Sequence, residues 1–285
     1  MTEIHARKRG RLLRRIMHMP TGRIGLALTA AVLFVALIGP WILPYAPNAI
    51  DVPSRLLPPS LSHPLGTDQL GRDILARVAV GLRVAIIISV VAVTLALLVG
   101  AVIGTTAAML GGIADRLAAI LFDTISAFPA VVLALAIIAL YGAKTSNLII
   151  LVALVFVPHF GRIARAQTLV LRNAPFIAAE RMLGLSLPII ILRHVVPNTI
   201  GPLLIVASMN IPVVITIEAG LSFLGLGVPP PTPSLGTLLR DGYIYLEQSP
   251  WPAAMSATAL AVLTLSSTLV GEAVRDAVDP RIKTR

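Results

Sequence analysis

Three groups of residues in this chain carry charge where the surroundings are apolar. Asp123 and Glu218 are carboxylates inside long hydrophobic runs. An ionisable side chain at a bilayer centre costs at least about 2.5 kcal/mol on insertion scales, which makes such acids candidates for proton carriers, path walls or subunit contacts. Both also lie near the ends of their runs, where a hydrated or hydrogen-bonded structural acid is an equally open reading. The third group is Pro175 to Asn198, PFIAAERMLGLSLPIIILRHVVPN, which collects Glu180, Arg181, Arg193 and His194 in a segment cut by prolines. It is too polar to span a membrane, and its neighbours are not.

Other chemistries find no residues to support them. There is no cysteine, which removes disulfides, thiolate metal sites and cysteine nucleophiles. His63, His159 and His194 share no ligand spacing, so no metal site is expected. The nearest approach to a phosphate loop is Gly142-Ala143-Lys144-Thr145, which lacks the required glycines, and neither HExxH nor GxSxG occurs.

The elements that must position these residues follow from composition. The chain has 285 residues, 56% hydrophobic and only 13% charged, with a mean hydropathy of +0.90. Soluble domains carry about a quarter charged residues, so this is an integral membrane protein. Its net charge of +10 is not a nucleic-acid signal, because aromatics are 5% and the basic residues flank apolar runs instead of forming a stripe. Anionic lipid and membrane orientation account for it.

A helical span needs about 20 apolar residues. Six runs qualify, from about Ile24 to Leu43, Val84 to Leu110, Leu117 to Tyr141, Asn147 to Gly161, Thr199 to Phe223 and Trp251 to Val270. The fourth is short, but a helix continuing through Arg162 and Arg165 reaches the interface by snorkelling. With six spans, seventeen of the 23 basic residues fall on one side. Positive charge marks the cytoplasm, which places both termini and Pro175–Asn198 there. The first span lacks a small-residue cleavage site and ends instead at Pro40, Trp41 and Pro44, as a retained anchor does. An outer loop from Pro44 to Pro64 precedes Asp68 to Leu82, where Leu70, Ile74 and Val78 recur at helical spacing. That pattern predicts an amphipathic helix lying on the outer surface as an interfacial spacer. The expected layout is a basic tail over 1–23, first span and outer region over 24–82, a five-span core over 83–272 and a tail over 273–285.

Pro175–Asn198 itself reads as two short helices parallel to the membrane. Asn173 can cap the first, Pro175 suits its first turn, and Gly184 sits where a left-handed residue would end it. Phe176, Ile177, Ala179 and Leu183 line one flank, with Glu180 and Arg181 beside it. The second helix would start after Ser186 and stop before Pro197. Such a pair either lays its apolar face in a partner's groove or rests on lipid. Gly100 and Gly104 predict a close helix contact. Tyr141, Tyr243, Tyr245 and Trp251 suit interfacial anchors, and the Pro/Gly-rich loop Gly225 to Pro250 suits an outer docking surface or cap.

The run Leu183-Gly184, Ile191-Leu192-Arg193-His194 and Pro197-Asn198 resembles the cytoplasmic EAA loop of membrane-spanning subunits of bacterial ABC importers. HPLGTDQLGRDILAR at His63 to Arg77, LSFLGLGVPPPTPSLG at Leu221 to Gly236 and RDAVDPR at Arg275 to Arg281 resemble the C-type permease of dipeptide, oligopeptide and nickel importers. The likeness runs from the first span to Arg281. It implies an all-α, six-span subunit of the bacterial inner membrane that forms half of a path for peptides or a similar small solute. It further implies a second permease chain as heterodimer partner, two cytoplasmic ATPases and an extracytoplasmic substrate-binding protein. The chain would be non-catalytic and hold no cofactor, with ATP and Mg on the partner ATPases. Coupling to them is carried over to Phe176, Ile177, Ala179, Glu180, Arg181, Leu183 and Gly184 within the segment 171–197. One departure is Ala178, where the family has a glutamate; Glu180 falls two residues later. The rivals are a proton-coupled secondary transporter relaying through Asp123 and Glu218, and a scaffold that transports nothing. Against the first, no broken-helix pair in inverted halves is legible.

Overall fold

The computed structural model describes residues 16–17 and 19–278; expectations for the rest of the two tails lie outside the described residues. Among the described residues the chain is helical apart from loops and one isolated bridge, Thr67 to Asp73. Helix α1 (Pro20–Ile42) is followed by α2 (Ile74–Leu110), α3 (Gly112–Ala127), α4 (Ala130–Tyr141) and α5 (Thr145–Arg172). Then come the short α6 (Pro175–Met182), the long α7 (Leu187–Phe223), α8 (Leu235–Ile244) and α9 (Trp251–Val278). Five helices are long and apolar enough to cross a membrane, and α3 and α4 pass the same test only when taken together, as one broken span or a re-entrant loop.

Four expected boundaries move, each for a local reason. No separate helix covers Asp68 to Leu82: residues 67–73 form turns, with Gly71 at φ 75°, and helix begins only at Ile74. Asp73 sets that start, its Oδ1 accepting from the Ala76 N–H at 2.8 Å. From there α2 runs unbroken for 37 residues, straight through Arg83. Its Nε and Nη2 donate to the carbonyls of Ala36 and Leu37, both at 2.9 Å. Pro40 lies inside α1 and has no N–H for the carbonyl four residues back, which is that of Ala36.

The third expected span is broken by 88° between α3 and α4. Phe128 is extended (φ −90°, ψ 129°), as the residue before a proline tends to be, and Pro129 cannot continue the helical bonding. The fourth crossing is longer than its apolar run, reaching Arg172. The fifth starts at Leu187 instead of Thr199, so the second of the two expected short helices is the base of α7.

The chain divides into two compact units. One comprises the described residues up to Val90, 138–148 and Ser208 onward. Within it α1 packs along α9, α8 packs on α9, and the core includes Val32, Ile74, Val78, Ile215, Leu235 and Leu263. Ser234 and Thr237 close a capping box at the start of α8. The other unit comprises 91–137 and 149–207. Here Gly100 and Gly104 of α2 meet α5 at the backbone: a Cβ at Gly104 would run into the Gly161 carbonyl. The two glycines therefore serve an intrachain contact.

Candidate functional site

The segment between α5 and α7 is built by a proline, a glycine and one buried side chain. Pro175 occupies the first turn of α6; the N-cap is Ala174 and not Asn173, with no side-chain cap. At the other end Gly184 has φ 78°, its N–H bonds to the Arg181 carbonyl at 3.0 Å, and the Leu185 N–H bonds to that of Glu180 at 3.1 Å. This crossed pair satisfies the last carbonyls and reverses the chain. Ile177 is fully buried with Met109, Ile190 and Val195, flanked by Leu171 and Leu185. The expected apolar flank therefore splits. Ile177 anchors α6, while Ala179 and Arg181 are exposed, as are Phe176 (45%), Leu183 (78%) and Gly184. Met182, 89% exposed, joins them; its place three residues after Ala179 was the signal for it.

Pro197 does not stop the following helix. A π turn over Ile191–Val195 precedes it, and loosened carbonyls there find side-chain donors. Asn198 Nδ2 donates to the His194 carbonyl at 2.6 Å, and Thr199 Oγ1 to that of Val195 at 3.1 Å. Single π turns inside α-helices are the usual way an extra residue is accommodated. His194, absent from the expected site, contacts Glu180: Nε2 to Oε1 is 2.8 Å. The second oxygen of Glu180 is buried without a partner, while Ala178 is exposed.

The two embedded acids have separate partners. Asp123 Oδ1 accepts from Arg162 Nη2 at 2.8 Å, and that nitrogen also reaches Ser126 Oγ at 3.1 Å. A second acid-to-arginine link in the same unit has no counterpart in the sequence reading. Arg165 Nε and Nη2 donate to the two oxygens of Asp115 at 2.6 and 2.7 Å, a bidentate pair joining α3 to α5. Glu218 is fully buried, accepts from Ser222 Oγ at 2.7 Å and keeps its other oxygen unpaired.

The motif at His63 to Arg77 is a folding lock. His63 Nδ1 lies 3.0 Å from Asp73 Oδ2 under the Tyr45 ring, 4.6 Å away. Asp68 takes the Leu70 and Arg72 N–H groups on one oxygen and faces Arg72 at 2.7 Å and Arg77 at 3.4 Å with the other. Beside it the 225–232 loop and α8 enclose a cavity of about 220 Å³ lined by Arg72, Arg77, Arg240 and Asp241 among others. Tyr141, Tyr243 and Trp251 are exposed, whereas Tyr245 is partly buried, with the Arg55 guanidinium 5.5 Å from its ring centre.

Residues 96–284 match the family described as binding-protein-dependent transport system inner membrane component. Residues 10–59 match the N-terminal TM domain of oligopeptide transport permease C. The chain is 38% identical over 270 residues to a peptide transport system permease protein of Brucella suis biovar 1, covering 95% of this chain and 91% of that one. It is 39% identical over 264 residues to the glutathione transport system permease protein of Escherichia coli O1:K1, covering 90% and 87%. Its fold is similar to a chain of the inward-facing MetNI methionine ABC transporter, with a TM-score of 0.51 at 17% identity over 68% of this chain and 94% of that one. A helical membrane chain matched in this way along nearly its whole length belongs to the binding-protein-dependent transport system inner membrane components, and is a multi-pass permease subunit of an ABC importer.

Proposed function

We propose that this permease imports peptides or a similar small solute, and that α6 is its contact with the ATPase. One observation carries the second statement. Helix α6 is held by a single fully buried residue, Ile177, while Phe176, Met182, Leu183 and Arg181 stand outward. A short amphipathic helix with an exposed apolar face and a flanking cation is suited to a groove in a partner protein. Ala179, Glu180 and Gly184 then shape the helix. The peptide class rests on the relatives, which are named for peptide and glutathione transport.

In this reading both termini and α6 are cytoplasmic, and the partner permease is a distinct chain. ATP and Mg bind only to the ATPase subunits, and the 225–250 loop faces the external binding protein. Nothing favours the proton relay: Asp123 is engaged by Arg162 and Glu218 by Ser222, and the one bent helix pair among the described residues has no inverted counterpart.

The test is purification of the tagged chain with its partners, followed by dialanine uptake into proteoliposomes. A phosphate-loop ATPase should co-purify, and uptake should require ATP with no proton gradient imposed. Uptake sustained by a proton gradient after ATP is exhausted would overturn the proposal.

A further inference from the structure

Helix α6 carries one carboxylate, and it is turned inward. Ala178 is exposed and uncharged, whereas Glu180 lies two residues on, about 200° around the helix. Its Oε1 meets His194 Nε2 at 2.8 Å, with the Glu180 side chain 19% and the His194 side chain 25% exposed. Glu180 belongs to the last turn of α6 and His194 to the π turn at the base of α7. The contact therefore joins the helix proposed to meet the ATPase to a helix that crosses the membrane. The π turn aims it, since one extra residue in a turn rotates the helix before it by about 100° against the helix after it. Ile177, Ile190 and Val195 pack beneath.

We infer that Glu180 and His194 form a strut that makes α6 and the base of α7 one rigid lever, with His194 a positioning residue for energy coupling. The inference rests on the reading of α6 as the ATPase contact. Apolar packing resists separation of the two helices but is non-directional, so it permits them to slide and roll. A close polar contact of 2.8 Å, made at one point by one side chain from each helix, adds the restraint on their angle that the packing lacks. The buried second oxygen of Glu180 raises the demand for its partner: without His194 the carboxylate turns to water, and the angle is no longer held.

The chain contains no cysteine, so the strut can be replaced by a covalent one. The whole importer is reconstituted with the variants H194A, H194Q and E180C/H194C, and dialanine taken up per ATP hydrolysed is measured. H194A should lower that ratio about tenfold while hydrolysis continues, the usual size of a coupling between sites. H194Q, which keeps an amide donor near the position of Nε2, should recover most of it. Reduced E180C/H194C should behave as H194A, and bridging its thiols with a short bifunctional reagent should restore the ratio. An H194A ratio equal to that of the unaltered importer, or a bridged protein no better than the reduced one, would overturn the strut. Should H194A fail to insert, the reduced and bridged forms of one protein still decide. If the unaltered importer takes up no dialanine, it is the peptide reading that fails, and the comparison is read from stimulation of hydrolysis by the external binding protein. Cross-linking of Met182→Cys to the ATPase checks the docking reading separately.

Discussion

Arg83 Nε donates at 2.9 Å to the carbonyl of Ala36, the carbonyl that Pro40 leaves without its helical donor. The same guanidinium reaches the Leu37 carbonyl. A charged residue in an apolar sequence thus repairs a proline in the neighbouring helix. Replacing Arg83 with Met should lower stability by about 1–3 kcal/mol, the range for a polar group left unsatisfied away from water. Pro40→Ala should soften that loss by returning an N–H to Ala36. Thermal unfolding in detergent of the two single variants and the double variant would measure the coupling; strict additivity would contradict it.

Gly184 is required for its backbone conformation and not for lack of room. Its φ is 78°, and a Cβ there would meet nothing within 4 Å. An L-residue in the left-handed region costs about 1–2 kcal/mol, least for Asn. Transport should therefore fall in the order Gly, Asn, Ala, Val while membrane insertion is kept. Uptake and membrane-fraction blots of the series check this, and a Val variant as active as Asn would refute it.

The two arginine links between α3 and α5 should differ in weight. Arg165 grips both oxygens of a partly buried Asp115, whereas the Arg162 and Asp123 side chains are 49% and 74% exposed. Arg165→Met should cost about 1.5–3 kcal/mol, and Arg165→Lys most of that, since an ammonium cannot match the fork. Arg162→Met should cost under about 1 kcal/mol. Melting temperatures of the three variants would rank them.

Gly104 faces backbone and not a movable side chain, because a Cβ there meets the Gly161 carbonyl. Gly104→Ala should destabilise by about 1–3 kcal/mol through overpacking, and Gly104→Leu should prevent recovery of a monodisperse protein. Size-exclusion profiles after solubilisation provide the readout. Equal profiles for Leu and Gly would mean that the two helices are not in contact.

Hydropathy located the five long apolar helices and the bent pair, but not where they end. It reports where lipid must be, and helices outlast lipid wherever a charge finds a partner. Arg162 and Arg165 stand at the close of the fourth apolar run; α5 continues past both as expected, but they meet Asp123 and Asp115, partners that hydropathy does not show. Pro129 and Pro197 show the same limit for breakers. The first follows an extended Phe128 and bends the chain, while the second follows a π turn and is absorbed. Gly184 was legible because a left-handed position is a local demand. The pairing of Glu180 with His194 was not, since it depends on a chain reversal and a helical register that no short stretch encodes.

The elbow between α3 and α4 bears on the surroundings of this subunit. Sixteen and twelve residues rise about 24 and 18 Å, against a hydrocarbon layer of about 30 Å. Neither arm is long enough to cross alone, and at the corner the Phe128 N–H donates to the Ile125 carbonyl at 3.4 Å while the Pro129 carbonyl accepts from the Val132 and Leu133 N–H groups at 3.0 and 3.2 Å. Phe128 is half exposed in the single chain. Two arms each too short to span, meeting at 88°, leave that ring as an apolar corner which the surroundings of this subunit have to cover.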